Sequence, residues 1–251
     1  MNLRAFALIV YLFFYLLLTF PKRLYYKKLA KKDPGEAADL SFKNIASACR
    51  TIMRITGSKV EAEGLDKIPD EAVLFVGNHT SYFDIVTAIS TLPHATGFVA
   101  KDVIKKVPGL YGWMQRINCL YLDRSDIKNG VQMIKDGIEN INQGYSMFIY
   151  PEGTRSTTGE LLPFRGGALK MAQRSGAPVV PVAISGTRDI YENNKGLRIR
   201  PSNVRIVYGE PFRIQDLPKE QKRFAADYTR SVLEDLLADG KAGEEAGGEN
   251  S

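Results

Sequence analysis

Two histidines occur in this chain of 251 residues, and they keep different company. His94 lies in a loop between Pro93 and Gly97. His79 lies in Gly77-Asn78-His79-Thr80-Ser81-Tyr82-Phe83-Asp84, directly after an apolar run. A histidine beside an aspartate makes a general base with an orienting carboxylate, which fixes the imidazole tautomer and stabilises the imidazolium. Residues five apart on a continuous helix point about 140° from one another, so this pair meets only if the chain turns between its members. Thr80 and Ser81 supply such a turn as N-caps of a following helix. The same letters also fit a plain capping box, with Asp84 closing on Ser81 and His79 merely ending a strand. The segment alone does not choose.

A second segment, Tyr150-Pro151-Glu152-Gly153-Thr154-Arg155-Ser156, again follows an apolar run. Gly153 lets a backbone approach a ligand, and Thr154, Arg155 and Ser156 are donors suited to a phosphate. Seen by itself, this segment also reads as a β-turn with solvated charges. Two more cations stand at the ends of apolar runs: Lys101, and Arg124 closing Cys119-Leu120-Tyr121-Leu122-Asp123-Arg124. If the intervening strands are parallel, all four segments leave at neighbouring carboxyl ends, where open α/β sheets bind ligands.

The elements that would position these residues are legible as alternating patterns. Strands are expected at Val73–Gly77, Thr96–Ala100, Cys119–Leu122, Ser146–Tyr150, Val179–Ile184 and Val204–Tyr208, with helices near Phe83–Thr91, Ile127–Gln143, Gly167–Arg174 and Phe224–Leu237. Ser125 or Asp126 suits the N-cap of the second of these helices and Gly144 its C-terminal stop. Strands alternating with helices indicate an α/β layered sheet. Residues 57–239 form that domain, and 240–251 have the composition of a disordered tail.

Residues 1–56 are of another kind. The run Ala5–Phe20 has no charge and would make a helix about 24 Å long, against a hydrocarbon core of about 30 Å. Pro21 closes it, and a basic stretch follows with Tyr25 and Tyr26 interleaved. Of the 34 basic residues seven lie within the first 32 positions, which hold no acid, leaving 27 against 28 acids in the rest. A neutral body excludes the basic face that nucleic-acid binding needs. Pro21-Lys22-Arg23 makes a poor signal-peptide cleavage site. A buried core helix competes with a membrane anchor, and the basic, Tyr-bearing flank favours the anchor on an anionic cytoplasmic leaflet; its length leaves open whether it spans or dips into one leaflet. A second apolar stripe, Ala38 to Ile55, either packs on the domain or lies beside the first helix in the membrane.

Cys49 and Cys119 sit in no metal-ligand spacing, so no metal site is expected. There is no phosphate-binding Gly-rich motif and no G-x-S-x-G elbow, which makes direct transfer without a covalent intermediate the simpler chemistry.

Taken together the motifs resemble the glycerolipid acyltransferase family, most closely its bacterial 1-acylglycerol-3-phosphate acyltransferases. Asn78, His79, Ser81 and Asp84 match the family's Asn-His-x-Ser-x-x-Asp, and Pro151 to Ser156 match Pro-Glu-Gly-Thr-Arg-Ser. Asp123-Arg124 matches the acid-Arg motif, with Asn118 where Gly is usual, and Val179 to Ile184 match an apolar Pro-containing motif. The resemblance runs from about Gly57 to Gly209. It implies a mixed, largely parallel sheet flanked by helices and an N-terminal anchor at the cytoplasmic face of the cell membrane. It implies that His79 takes the proton of an acceptor hydroxyl as it attacks an acyl thioester, with Asp84 orienting the ring. Lys101, Arg124 and Arg155 would hold the acceptor phosphate, with Thr154 as a further donor, while Glu152 and Gly153 would shape the loop around the glycerol. Backbone N–H groups after His79 are candidate oxyanion donors. The acceptor implied is 1-acyl-sn-glycerol 3-phosphate (lysophosphatidic acid), the product phosphatidic acid. The donor would be a thioester of coenzyme A or of acyl carrier protein, with no bound cofactor and no nucleic-acid partner. Another lysophospholipid or a lyso-aminolipid as acceptor, or a non-catalytic lipid-binding module on the membrane, are the competing readings.

Overall fold

The apolar runs pair edge to edge because each must bury both faces. The computed structural model describes residues 1–123 and 126–248. Among them seven strands form one sheet: β1 Lys59–Glu63, β2 Leu74–Gly77, β3 Thr96–Lys101, β4 Leu120–Leu122, β5 Ser146–Ile149, β6 Val179–Ser185 and β7 Asn203–Tyr208. Their spatial order is β1-β7-β6-β2-β5-β3-β4, and every neighbouring pair is parallel except β6 with β7. The expected mixed, largely parallel sheet is therefore observed. One strand was invisible in the sequence: β1 reads Lys-Val-Glu-Ala-Glu, with a single half-buried residue, because an edge strand needs little apolar side chain.

The helices are α1 Leu3–Leu18, α2 Phe20–Leu29, α3 Pro34–Thr56, α4 Phe83–Thr91, α5 Pro108–Met114, α6 Ile127–Asn142, α7 Lys170–Ser175, α8 Lys219–Arg223 and α9 Ala225–Gly248. Alternate strand residues feed two cores. On one face Phe75, Phe148, Val180 and Val182 pack under α3 and α4, through Phe42, Cys49, Ala88 and Ile89. On the other, Leu74, Val76, Met147 and Val179 pack under α6, α7 and α9, through Met133, Met171 and Leu233. The fold is thus three layers, helices on both sides of the sheet.

The capping expectations hold where they can be read. Asp126 caps α6 by accepting from the Lys128 N–H at 2.8 Å, and Gly144 follows the helix with φ 90°; Ser125 lies outside the described residues. Three boundaries differ from expectation. Pro21 opens a second helix in whose first turn its missing N–H costs nothing, and α1 and α2 meet at 47°. The apolar stripe of α3 joins the domain core, so residue 56 does not separate two packing units. Residues 240–248 continue α9 as helix, whose i→i−4 bonds need no tertiary partner; 249–251 lie outside the described residues.

Candidate active site

β2 ends at Gly77, where a side chain has no room: a Cβ there would meet the Phe148 ring at 2.9 Å. Beyond it Asn78 extends the ladder with its side chain, donating to the Ile184 carbonyl at 2.9 Å and accepting from the Ile184 N–H at 2.8 Å. The chain then turns, and α4 begins.

Asp84, in the first turn of α4, is fully buried. Its Oδ2 accepts from the Thr80 N–H at 2.6 Å and the Ser81 N–H at 2.7 Å, and meets His79 Nδ1 at 2.9 Å. Its Oδ1 accepts from the Thr187 hydroxyl at 2.5 Å. The capping box and the histidine–aspartate pair, which the letters left as alternatives, are one arrangement: the cap contact places the carboxylate under the ring. An oxygen already accepting from two N–H groups has only acceptor capacity left. Nδ1 therefore carries the proton, and Nε2 is left with the lone pair of a general base. The ring is 15 % exposed and stacks on Tyr150 with centroids 4.1 Å apart. Tyr150 in turn contacts Phe148, which stacks on Phe75 and Phe98.

The second segment is fastened to the first. Glu152 is buried and accepts from the His79 N–H at 2.6 Å and the Leu162 N–H at 2.9 Å, while the Ser156 N–H donates to the His79 carbonyl at 2.8 Å. Burial raises the Glu152 carboxyl above its ordinary range, against the lowering effect of those two N–H donors. Both of its oxygens are engaged, so Glu152 shapes the loop from within. Gly153 has φ 70°, and a Cβ there would meet Arg165 Nε at 2.5 Å. The close approach it permits is to a side chain of the same chain. Thr154 is exposed, and Lys101 is exposed at the end of β3. Arg155 places its guanidinium 3.6 Å from the Tyr82 ring centroid and donates to Glu192 at 3.0 Å. Arg124 lies outside the described residues.

The sheet brings these segments to one rim. β2, β5, β3 and β4 are successive and parallel, so His79, the 150–156 loop, Lys101 and Asp123 all follow carboxyl ends. One expectation changes. The N–H groups of His79, Thr80 and Ser81 are committed to Glu152 and Asp84, so they are not oxyanion donors. Asn118 has φ 57°, the only positive φ outside glycine among the described residues, which is why Asn replaces Gly there with little strain.

The segment after β6 carried no motif, yet it touches both others. Thr187 holds Asp84, Arg188 donates to the Ser156 and Thr157 carbonyls at 2.8 and 2.6 Å, and Glu192 holds Ser81, Tyr82 and Arg155. Only its position directly after a carboxyl strand end could have marked it, and Glu and Thr are too common in loops for that to single them out. Both cysteines are free and buried, and burial pushes their thiols up to about 12, so neither is a thiolate nucleophile at neutral pH.

A histidine–aspartate pair thus sits on the rim of a largely parallel sheet, joined to a Pro-Glu-Gly-Thr-Arg loop. Residues 59–185, just over half of its length, match the acyltransferase family model, and the chain belongs to that family. It is similar to the chloroplastic 1-acyl-sn-glycerol-3-phosphate acyltransferase BAT2 of Brassica napus, at 35% identity over 61% of this chain and 45% of that protein. It is 32% identical to the 1-acyl-sn-glycerol-3-phosphate acyltransferase of Saccharomyces cerevisiae, over 72% of this chain and 60% of that one. The chain thus spans less than two thirds of the length of these relatives. Among solved structures, the 1-acyl-sn-glycerophosphate (LPA) acyltransferase PlsC of Thermotoga maritima superposes with a TM-score of 0.78 at 25% identity, over 95% of this chain and 97% of that one.

Proposed function

We propose that this protein transfers a fatty acyl group from a thioester to the sn-2 hydroxyl of 1-acyl-sn-glycerol 3-phosphate, giving phosphatidic acid for phospholipid synthesis. The observation that carries the reading is the His79 Nδ1 to Asp84 Oδ2 contact of 2.9 Å, with Asp84 fully buried. His79 Nε2 takes the proton of the acceptor hydroxyl, and the oxygen attacks the thioester carbonyl. As the C–S bond breaks, the imidazolium gives that proton to the departing thiolate, which leaves as the free thiol, so no acyl-enzyme is needed. Asp84 keeps the ring in the base tautomer and offsets its positive charge. Arg155, Lys101 and Arg124 hold the phosphate, and coenzyme A or acyl carrier protein supplies the thioester.

The reading extends to the membrane. No single helix among the described residues is long and apolar enough to cross a bilayer. The outer face of α1 exposes Phe6, Ile9, Phe13, Phe14 and Leu17, while Ala5 and Leu8 turn inward. An exposed apolar stripe followed by the basic α2 is the composition of an interfacial anchor. In this reading α1 and α2 hold the protein to the cytoplasmic face of the cell membrane and bring the carboxyl rim to its lipid acceptor.

The deciding measurement is thiol release from an acyl thioester by the purified protein, with and without lysophosphatidic acid. His79→Ala should lower kcat by on the order of 10²–10⁴-fold. Near-normal turnover in that variant would refute the mechanism, and release that ignores the acceptor would indicate a thioesterase.

A further inference from the structure

Glu192 lies beyond residue 185, where the family match ends, and it is a point at which both motif segments meet one carboxylate. Its Oε2 accepts from the Ser81 hydroxyl at 2.6 Å. Its Oε1 accepts from the Tyr82 N–H at 2.8 Å and from Arg155 Nη1 at 3.0 Å. The side chain is 16 % exposed and that of Arg155 33 %, so the pair sits at the boundary of the site and is only partly screened by water. The Ser81 hydroxyl also accepts from the Phe83 N–H at 3.0 Å, which ties Glu192 to the start of α4.

The geometry of Arg155 follows from this carboxylate. A free arginine side chain explores many rotamers, and ordering it on binding costs affinity. Here the guanidinium is pinned at one nitrogen by Glu192 and laid on the Tyr82 ring at 3.6 Å. A guanidinium has five N–H donors in a rigid fork, and the bond to Glu192 uses one. The remainder suit an oxyanion.

We propose that Glu192 is a positioning residue for the acceptor phosphate: it pre-aims Arg155 and locks that aim to the turn holding His79 and Asp84. The inference rests on Arg155 meeting the phosphate, as proposed above. The long-range sign opposes it, since a carboxylate beside Arg155 repels a phosphate; pre-organisation of the guanidinium outweighs that repulsion.

The test is steady-state kinetics with lysophosphatidic acid on Glu192→Gln, Glu192→Asp, Arg155→Ala and the double variant Arg155→Ala/Glu192→Gln. Glu192→Gln should raise the acceptor KM about tenfold, the scale of one charge-assisted contact, and leave the thioester KM unchanged. Glu192→Asp should recover part of that loss, and Glu192→Gln should add nothing in the Arg155→Ala background. A purely structural role would shift both KM values and persist without Arg155. If Arg155→Ala raises the acceptor KM while Glu192→Gln leaves or lowers it, the Glu192 inference fails and the phosphate reading stands. An unchanged acceptor KM in Arg155→Ala overturns both. Should Glu192→Gln not fold, the Asp variant carries the same comparison, with a smaller rise expected and an unchanged KM overturning it.

Discussion

Asp84 accepts from the Thr80 and Ser81 N–H groups, from His79 Nδ1 and from the Thr187 hydroxyl, with no water-exposed edge. Such a carboxylate cannot rotate away from the ring it orients. Tyr150 beneath His79 is the opposite case. Its hydroxyl is buried with no hydrogen-bond partner among the described residues, and burial, then the Asp84 charge, push it well above its ordinary value. It stays a neutral phenol, and among the described residues its contacts are made by the ring face. Tyr150→Phe should therefore keep turnover within about twofold and stabilise the protein by on the order of 1 kcal/mol, because an orphaned buried polar group is removed. Thermal unfolding would read this as a rise of about 2–4 °C. A loss of turnover on that change would instead give the hydroxyl a part in the chemistry.

At the scale of elements, the site is a junction of three loops, each following a strand of the same sheet: His79–Tyr82 after β2, Tyr150–Ser156 after β5, and Thr187–Glu192 after β6. Glu152 is the peg between the first two. Glu152→Ala leaves the His79 and Leu162 N–H groups without acceptors, at roughly 1–3 kcal/mol each, and relief of a buried carboxylate offsets only part of that. The variant should melt lower and turn over more slowly. Glu152→Gln separates the charge from the contacts. Because burial raises the carboxyl in the folded state, its contribution is complete below the ordinary carboxylate range and declines as pH rises through the raised value. Gln does not titrate, so the stability lost on Glu152→Gln should be larger at about pH 4 than at neutral pH. Unfolding midpoints of both proteins across pH check this, and a difference independent of pH would remove the buried charge from the account.

For the whole molecule, the N-terminal helices are both packed and exposed. α1 and α2 pack on α3, and Tyr15 and Tyr26 contact Trp113 of α5 at 6.2 and 6.1 Å between centroids. Arg23 reaches the Gly109 carbonyl at 3.0 Å. These two helices are thereby fastened to the segment that follows Lys101, so their placement is tied to that of the rim. If α2 docks on an anionic leaflet, Lys27→Ala/Lys28→Ala should weaken binding to phosphatidylglycerol vesicles by about 2 kcal/mol, at about 1 kcal/mol per basic residue. Binding to neutral vesicles should hardly change. Equal losses on both surfaces, measured by vesicle sedimentation, would argue that the lysines support folding.

Six of the seven strands, the helices α4, α6, α7 and α9 and the amphiphilic N-terminus were legible in the amino-acid sequence, whereas β1, α2, α5 and α8 were not. Each legible feature is a short-range pattern: an apolar run of strand length, a cap, a cation after a strand, a cluster of lysines. Tertiary structure decided what those residues do to one another. It merged the capping box with the histidine–aspartate pair, committed the N–H groups after His79 to carboxylates, turned Glu152 inward, and drew α3 into the core. It also brought in Thr187 and Glu192, which stand 103 and 111 residues from Asp84 and Ser81. No local periodicity reports a hydrogen bond across that separation, because the partner is chosen by how the parallel strands stack side by side and by which polar groups their burial leaves unsatisfied.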